Sequence, residues 1–337
     1  MGIKNLNKYL RTNCTSYSIE KTHLKNYKNK TIVIDTSIYM YRFLADNALV
    51  ENFYLMISLF KTYDITPLFI FDGKPPAEKY ETLKQRRNER YNAKQRYTEI
   101  LDIIKNKNIS TNSFKYKDLQ SELEILKRKI IKVKENDIDK VKNLMDLYGV
   151  SHFTGIGEAD GLCAYLVLSG QADACMSDDT DMFIYNCPYI LRNLSLINHT
   201  VIHHNTNKIF NEINIPYKDF ITITILNGTD YNDGSNYSFE ELSEYYKEYS
   251  EYIKNTNSVE LFEDWLKKKD VGIEVDYNKL RSLYMIDYSV YNDITKNIII
   301  KNKNPCIKQL YDELKKEGFV FYNNVDNKLP WKSSIPV

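Results

Sequence analysis

The sequence predicts an α/β protein: a central parallel sheet flanked by helices, with a basic helical insert at 78–134 and a helical C-terminal region. Three observations carry this. Two short apolar runs, Thr31–Asp35 (TIVID) and Pro67–Asp72 (PLFIFD), enclose a long helix-compatible stretch. That is the pattern of two buried strands joined by a right-handed crossover. After Asp72-Gly73-Lys74-Pro75-Pro76 the chain turns abruptly charged, and beyond the charged stretch strand-type runs alternate with helical ones again.

In chain order, the first strand ends on Asp35, a helix is expected from about Ser37 to Lys61, and the second strand ends on Asp72. These form the first part of the core, 1–77. The insert reads as two helices separated by a polar break at Asn106–Ser113. From Asp137 a helix runs to about Tyr148, followed by a strand at Ser151–Phe153 and a helix from Glu158 to Ser169. A strand at Asp173–Met176 and β-type runs at Tyr189–Leu194 and Thr200–His203 come next, then helical sequence to Asn227. Residues 135–231 are thus the second part of the core. Residues 232–337 read as mainly helical, rich in Tyr, Glu and Lys.

A chain of 337 residues, 43% hydrophobic and 27% charged, can bury a sizeable globular core. No apolar run is long enough for a membrane helix and no signal peptide is visible, so no membrane partner is expected. Leu6 stands where a myristoylation motif after Gly2 would need Ser or Thr. The five cysteines are odd in number and form no Cys-x-x-Cys pair. Reduced thiols in an intracellular protein are therefore expected, not a disulfide frame or a zinc site.

Net charge is only +1, but between Lys79 and Lys134 there are 16 Lys or Arg against 7 Asp or Glu. A basic insert in an otherwise acidic chain suggests polyanion binding beside a site that concentrates carboxylates. Lys84, Arg87, Arg90, Arg128, Lys129 and Lys132 are its candidate nucleic-acid contacts. A solvated helix pair is the alternative reading of the insert by itself.

The acids make the chemical case. Asp35 and Asp72 end predicted parallel strands, the edge where α/β sheets build sites. Glu158 and Asp160 open a helix, Asp179 and Asp181 follow the third strand, and Asp230 lies in a turn. Singly, each is explained as a cap or turn residue. Together, five segments deliver acids to one sheet edge. Two carboxylates about 5 Å apart repel by roughly 3 kcal/mol at an effective dielectric of 20, so such a set requires cations. All-oxygen donors suit Mg²⁺ or Mn²⁺ and not zinc. Two such ions can activate water and stabilise the leaving oxygen of a phosphodiester.

These residues also carry a resemblance. Met1-Gly2-Ile3, Val33-Ile34-Asp35, Phe71–Pro76, Glu158-Ala159-Asp160, Asp179-Thr180-Asp181 and Gly228-Thr229-Asp230-Tyr231 occur in the order of the flap endonuclease (XPG/Rad2-type) family of structure-specific 5′ nucleases, which the chain resembles over residues 1–231. The resemblance implies a PIN-like core and two Mg²⁺ ions, replaceable by Mn²⁺, held by Asp35, Asp72, Glu158, Asp160, Asp179, Asp181 and Asp230. It implies a helical arch formed by the insert, with Lys79 and Arg86 as the basic pair that polarises the scissile phosphate. Tyr41 would stack on a terminal base. Gly2 would lie near the site once Met1 is removed. Asp160 replaces the glutamate usual in flap endonucleases and matches the exonuclease branch.

The implied substrate is DNA with 5′ flaps or branched ends, or an RNA primer on DNA, cut near the junction during replication or repair by a monomer. A 5′–3′ exonuclease or a ribonuclease on the same core is the alternative. A catalytically silent nucleic-acid-binding protein is the alternative of another class, but it would have no electrostatic reason to keep a mutually repelling set of acids. After Asp230 the family's glycine-rich, potassium-binding helix–two-turns–helix sequence is missing, which predicts a differently built duplex-holding region. No sliding-clamp box is found: nothing fitting follows Gln309, and Phe321-Tyr322 lacks a suitably placed glutamine. His203-His204 are read as a turn or an exposed strand end, and Tyr245, Tyr246, Tyr249 and Tyr252 as a packed or solvated helix face.

Overall fold

The computed structural model describes residues 2–106, 114–272 and 274–320. Met1, the centre of the break in the insert and Phe321-Tyr322 lie outside the described residues.

The core is a seven-stranded sheet. In chain order its strands are β1 (Ile19–His23), β2 (Thr31–Asp35), β3 (Thr66–Phe71), β4 (Ser151–Thr154), β5 (Ala174–Met176), β6 (Tyr189–Ser195) and β7 (Thr200–Asn205). They lie side by side as β1-β7-β6-β5-β2-β3-β4. The five strands from β6 to β4 pair in parallel, as expected. The sheet is nonetheless mixed, because β7 is antiparallel to both β6 and β1. The connection at 196–199 is too short for a crossover, so β6 and β7 must form a hairpin. The edge strand β1 was not expected: IEKTH has little apolar content because it has one neighbour and an open flank.

Side chains alternate across β2, with Ile32 and Ile34 on one face and Val33 on the other. One face packs against helices Thr36–Ala45, Leu49–Thr62, Glu135–Tyr148 and Ile307–Lys316. The other packs against helices Leu6–Asn13, Ala159–Leu168, Thr206–Ile213, Tyr217–Asn227 and Phe239–Thr256. Cover on both faces is why the central strands read as unbroken apolar runs. No helix among the described residues is long and apolar enough to cross a membrane.

The single helix expected from Ser37 to Lys61 is two, Thr36–Ala45 and Leu49–Thr62. Between them Asn47 takes φ 53°, a left-handed conformation that asparagine adopts more readily than most residues. Apolar residues flank the break closely enough to hide it from periodicity.

The insert forms two helices, Tyr80–Asn106 and Phe114–Ile130, paired through their own small seam of Ala93, Ile100, Leu123 and Leu126. After Asp230, helix Tyr217–Asn227 and helix Phe239–Thr256 are joined by a compact turn despite the divergent sequence. Gly228 and Gly234 both have positive φ, and a Cβ on Gly234 would collide with the Gly228 backbone. Asn232 Nδ2 and Ser235 Oγ donate to the carbonyls of Ile225 and Leu226 at 2.7 and 2.8 Å, closing the helix end.

Candidate active site

The acids meet at the C-terminal edge of the parallel strands. Asp35, the last residue of β2, is buried and accepts from Ser177 Oγ at 3.0 Å. Asp72, just after β3, is exposed, and its Oδ1 accepts from Ala159 N at 2.8 Å. It therefore caps the helix whose start carries Glu158 and Asp160. After β5, Ser177 Oγ accepts from Asp179 N at 3.1 Å, and Asp179 Oδ1 accepts from Asp181 N at 3.1 Å. Asp230 arrives from the turn after helix Tyr217–Asn227.

Gly2 lies against this loop with φ 82°; a Cβ there would run into Asp179 Oδ1, Thr180 Oγ1 and Asp181 Oδ1. Ile3 N donates to Thr180 Oγ1 at 2.7 Å, and Asn227 Nδ2 to Lys4 O at 2.8 Å, pinning the start of the chain beside the acids.

The electrostatics divide the cluster in two. Burial, reinforced by neighbouring carboxylates, raises Asp35, Asp160 and Asp181 well above the usual carboxylate range. The neighbours are Asp72 and Asp179 for Asp35; Asp35, Asp179, Asp181 and Asp72 for Asp160; Asp179, Asp230 and Glu158, opposed by Lys79, for Asp181. The other half is already neutralised. Burial works against ionisation of Asp230, but Lys79 and Arg86 outweigh it and hold Asp230 below its ordinary value. Lys79 Nζ lies 2.7 Å from Asp230 Oδ2 and also pairs with Glu158 Oε1. Arg86 Nη2 donates to Asp230 Oδ1 and Oδ2 at 2.7 and 2.9 Å. Burial would lower Lys79, yet its two carboxylate partners raise it.

Among the described residues no three acidic, histidine or cysteine side chains are closed into a metal cage. The donor set nevertheless fits divalent cations. Its oxygens are hard, three of its acids are destabilised as anions by their own neighbours, and Asp181 Oδ1 is buried without a partner. A cation would satisfy that oxygen and ionise its neighbours.

Lys79 and Arg86 therefore stand at the site, on Asp230. Tyr41 is 42% exposed on helix Thr36–Ala45. Lys84 and Arg87 are exposed and Arg90 half-buried on the first arch helix; Arg128, Lys129 and Lys132 are exposed around the end of the second. Sequence reasoning missed Ser177, Thr82 and Tyr231. Thr82 Oγ1 donates to the Asp230 carbonyl at 2.5 Å, and Tyr231 OH to Glu158 Oε2 at 2.8 Å. Tyr231 sat in the motif beside Asp230, but nothing local says where its hydroxyl points.

The residues set aside make packing contacts, although His204 is buried within β7 and is not in a turn or at an exposed strand end. His204 is buried, which together with Arg192 depresses it to about 3, and His203 Nδ1 pairs with Tyr27 OH at 2.7 Å. Tyr246 and Tyr249 pack on Phe262, and Tyr245, Tyr249 and Tyr252 on Trp265. Cys163, Cys175 and Cys187 are buried free thiols, Cys14 is half-buried and Cys306 exposed.

Comparison with known proteins follows the same geography. The family patterns described as XPG N-terminal domain and XPG I-region match residues 1–93 and 149–230, the first running into the first helix of the insert. Flap endonuclease 1 of Methanococcus aeolicus is 29% identical over 285 residues, covering 78% of this chain and 82% of the relative. Flap endonuclease 1 of Encephalitozoon cuniculi is 29% identical over 249 residues, covering 68% of each. The catalytic core of Rad2, solved in complex with DNA substrate, superposes with a TM-score of 0.65 at 20% identity, covering 94% of this chain and 95% of that one.

Proposed function

The chain belongs to the XPG family of nucleases, and on that footing we propose that it is a structure-specific 5′ nuclease that hydrolyses DNA near single-strand/duplex junctions. The observation that supports this reading is the meeting of seven acids from five chain segments with Lys79 and Arg86 at one sheet edge.

Asp35, Asp72, Glu158, Asp160, Asp179, Asp181 and Asp230 would hold two Mg²⁺ ions, with Mn²⁺ able to substitute. Bound there, the ions supply water activation and charge neutralisation for an in-line displacement. The protein's own residues do the rest. Ser177 and the Ala159 amide hold Asp35 and Asp72 in place. Lys79 and Arg86, at the base of the arch, transfer from Asp230 to the scissile phosphate as its charge develops. Tyr41 offers an exposed ring to an unpaired base. The arch guides the 5′ strand through Lys84, Arg87, Arg90, Arg128, Lys129 and Lys132. Substrates include replication flaps and RNA-primed ends, and the enzyme acts as a monomer inside the cell.

The test is a panel of 5′-labelled flap, gapped, blunt and RNA-primed substrates with Mg²⁺, Mn²⁺ or EDTA. Cleavage close to the flap junction in Mg²⁺ and none in EDTA is expected. No metal-dependent cleavage of any substrate would refute the reading.

A further inference from the structure

Tyr231 is a neutral side chain that hydrogen-bonds Glu158 and lies beside Lys79 at the neutralised half of the site. Its hydroxyl donates to Glu158 Oε2 at 2.8 Å, while Lys79 takes the other oxygen of the same carboxylate. The Lys79 ammonium also lies 6.0 Å from the centre of the Tyr231 ring. Glu158 is thereby held from two sides with its two oxygens distinguished, one facing a phenol and one facing a cation.

The tyrosine is itself rigidly mounted. It follows Asp230 directly, in a turn closed by Thr229 N donating to Asn232 O at 3.0 Å and Thr229 Oγ1 to Asn232 Oδ1 at 2.7 Å. Tyr231 N donates to Thr229 Oγ1 at 3.2 Å. Its ring meets Tyr284 edge-on at 5.2 Å, and Tyr284 is 2% exposed in the C-terminal helical region. Packing therefore runs unbroken from the buried Tyr284 through the Tyr231 ring to a carboxylate of the site, and the hydroxyl has little freedom to point elsewhere.

We propose that Tyr231 is a positioning residue: its hydroxyl fixes the orientation of the Glu158 carboxylate by holding Oε2, so that Oε1, which Lys79 occupies here, is the oxygen aimed at a divalent ion. This rests on the metal-dependent nuclease reading. Partners of this kind orient ligating carboxylates, and their loss costs about 10- to 100-fold in metal affinity or activity. A group whose only role is packing would cost neither when its ring is kept.

The test compares wild type, Tyr231→Phe, Tyr231→Leu and Glu158→Gln by Mn²⁺ titration followed by electron paramagnetic resonance, with flap cleavage and thermal melting in parallel. Tyr231→Phe keeps the ring and removes only the hydroxyl. It should weaken Mn²⁺ binding about tenfold and lower kcat at unchanged KM, with a melting temperature close to wild type. Tyr231→Leu should show the same weakening plus a drop in melting temperature, because Tyr284 no longer packs on an aromatic ring. Tyr231→Phe with wild-type Mn²⁺ affinity and kcat, beside a destabilised Tyr231→Leu, would overturn the proposal and leave Tyr231 as packing. If wild type itself binds no Mn²⁺ and cleaves nothing, the nuclease reading fails first, which separates the two failures.

Discussion

Lys79 Nζ lies 2.7 Å from Asp230 Oδ2 and also holds Glu158, two carboxylates that the nuclease reading assigns to metal. A lysine at the base of the arch thus occupies a cation's place in the cluster. On that reading it would compete with a divalent ion for those oxygens, and would leave them to reach a phosphate. Lys79→Met is therefore expected to do two opposite things. Without substrate, Mn²⁺ should bind several-fold more tightly, because the competing ammonium is gone. Turnover should fall about 10²- to 10³-fold, the loss typical of removing one preorganised charge-stabilising donor. Metal titration and single-turnover cleavage check the two halves separately.

Asp179 and Asp181 share one loop, where Asp179 Oδ1 accepts the Asp181 amide and Asp181 Oδ1 is buried without a partner. Asp179→Ala or Asp181→Ala should abolish cleavage while leaving flap binding largely intact, since the arch and duplex surfaces are untouched. Near-wild-type turnover in both would remove the metal assignment. Asp181→Asn should leave metal-free stability unchanged or improved, because it removes a buried anion from among its repelling neighbours.

The same crowding predicts an unusual pH dependence. Asp35, Asp160 and Asp181 have folded-state values raised above those of the unfolded chain, first by burial and then by their neighbours. Over that interval the folded protein binds more protons than the unfolded one, so stability falls as pH rises. The contribution is fully present below the unfolded carboxylate value and is lost as pH climbs through the raised values. Asp230 has the opposite sign: its depressed value contributes stability above the unfolded value, lost only as pH falls further. Melting curves of metal-free protein taken upward in pH from the ordinary carboxylate range, about 4, should show declining stability. Saturating Mg²⁺ should flatten that decline by displacing the protons.

The arch carries the chain's positive surplus on exposed side chains, so its hold on a 5′ strand should be salt-sensitive. Replacing Lys84, Arg87 and Arg90 by Gln should reduce the slope of log affinity against log salt by about 0.7 for each single-strand phosphate left without a cationic partner, or about 2 in all. Lys84 and Arg87 are exposed, so melting temperature should barely move. Affinity measured across a salt series checks this, and an unchanged slope would make the arch a solvated surface only.

Sequence alone determined much of the fold. β2 and β3 are apolar runs because helices cover both sheet faces, and their burial leaves a local signature in residue type. The two arch helices and their polar break are written in charge and turn composition. The seven acids could be found because each ends a strand, opens a helix or sits in a turn, all features legible within a few residues. Hairpin β6–β7 and edge strand β1 were less legible, since strand direction and pairing depend on partners distant in the chain.

What only the tertiary structure decided is who neutralises whom. No spacing in the sequence places Lys79 between Glu158 and Asp230, gives the Glu158 carboxylate a donor in Tyr231, or presses Gly2 against Asp179 and Asp181. Those pairings join residues from 73 to 179 positions apart, brought within a few ångströms by the order in which the strands lie in the sheet. Local periodicity reports which side of an element is buried. It carries no record of which charged group from another element arrives there, and the long-range electrostatics of this site are set by that arrival.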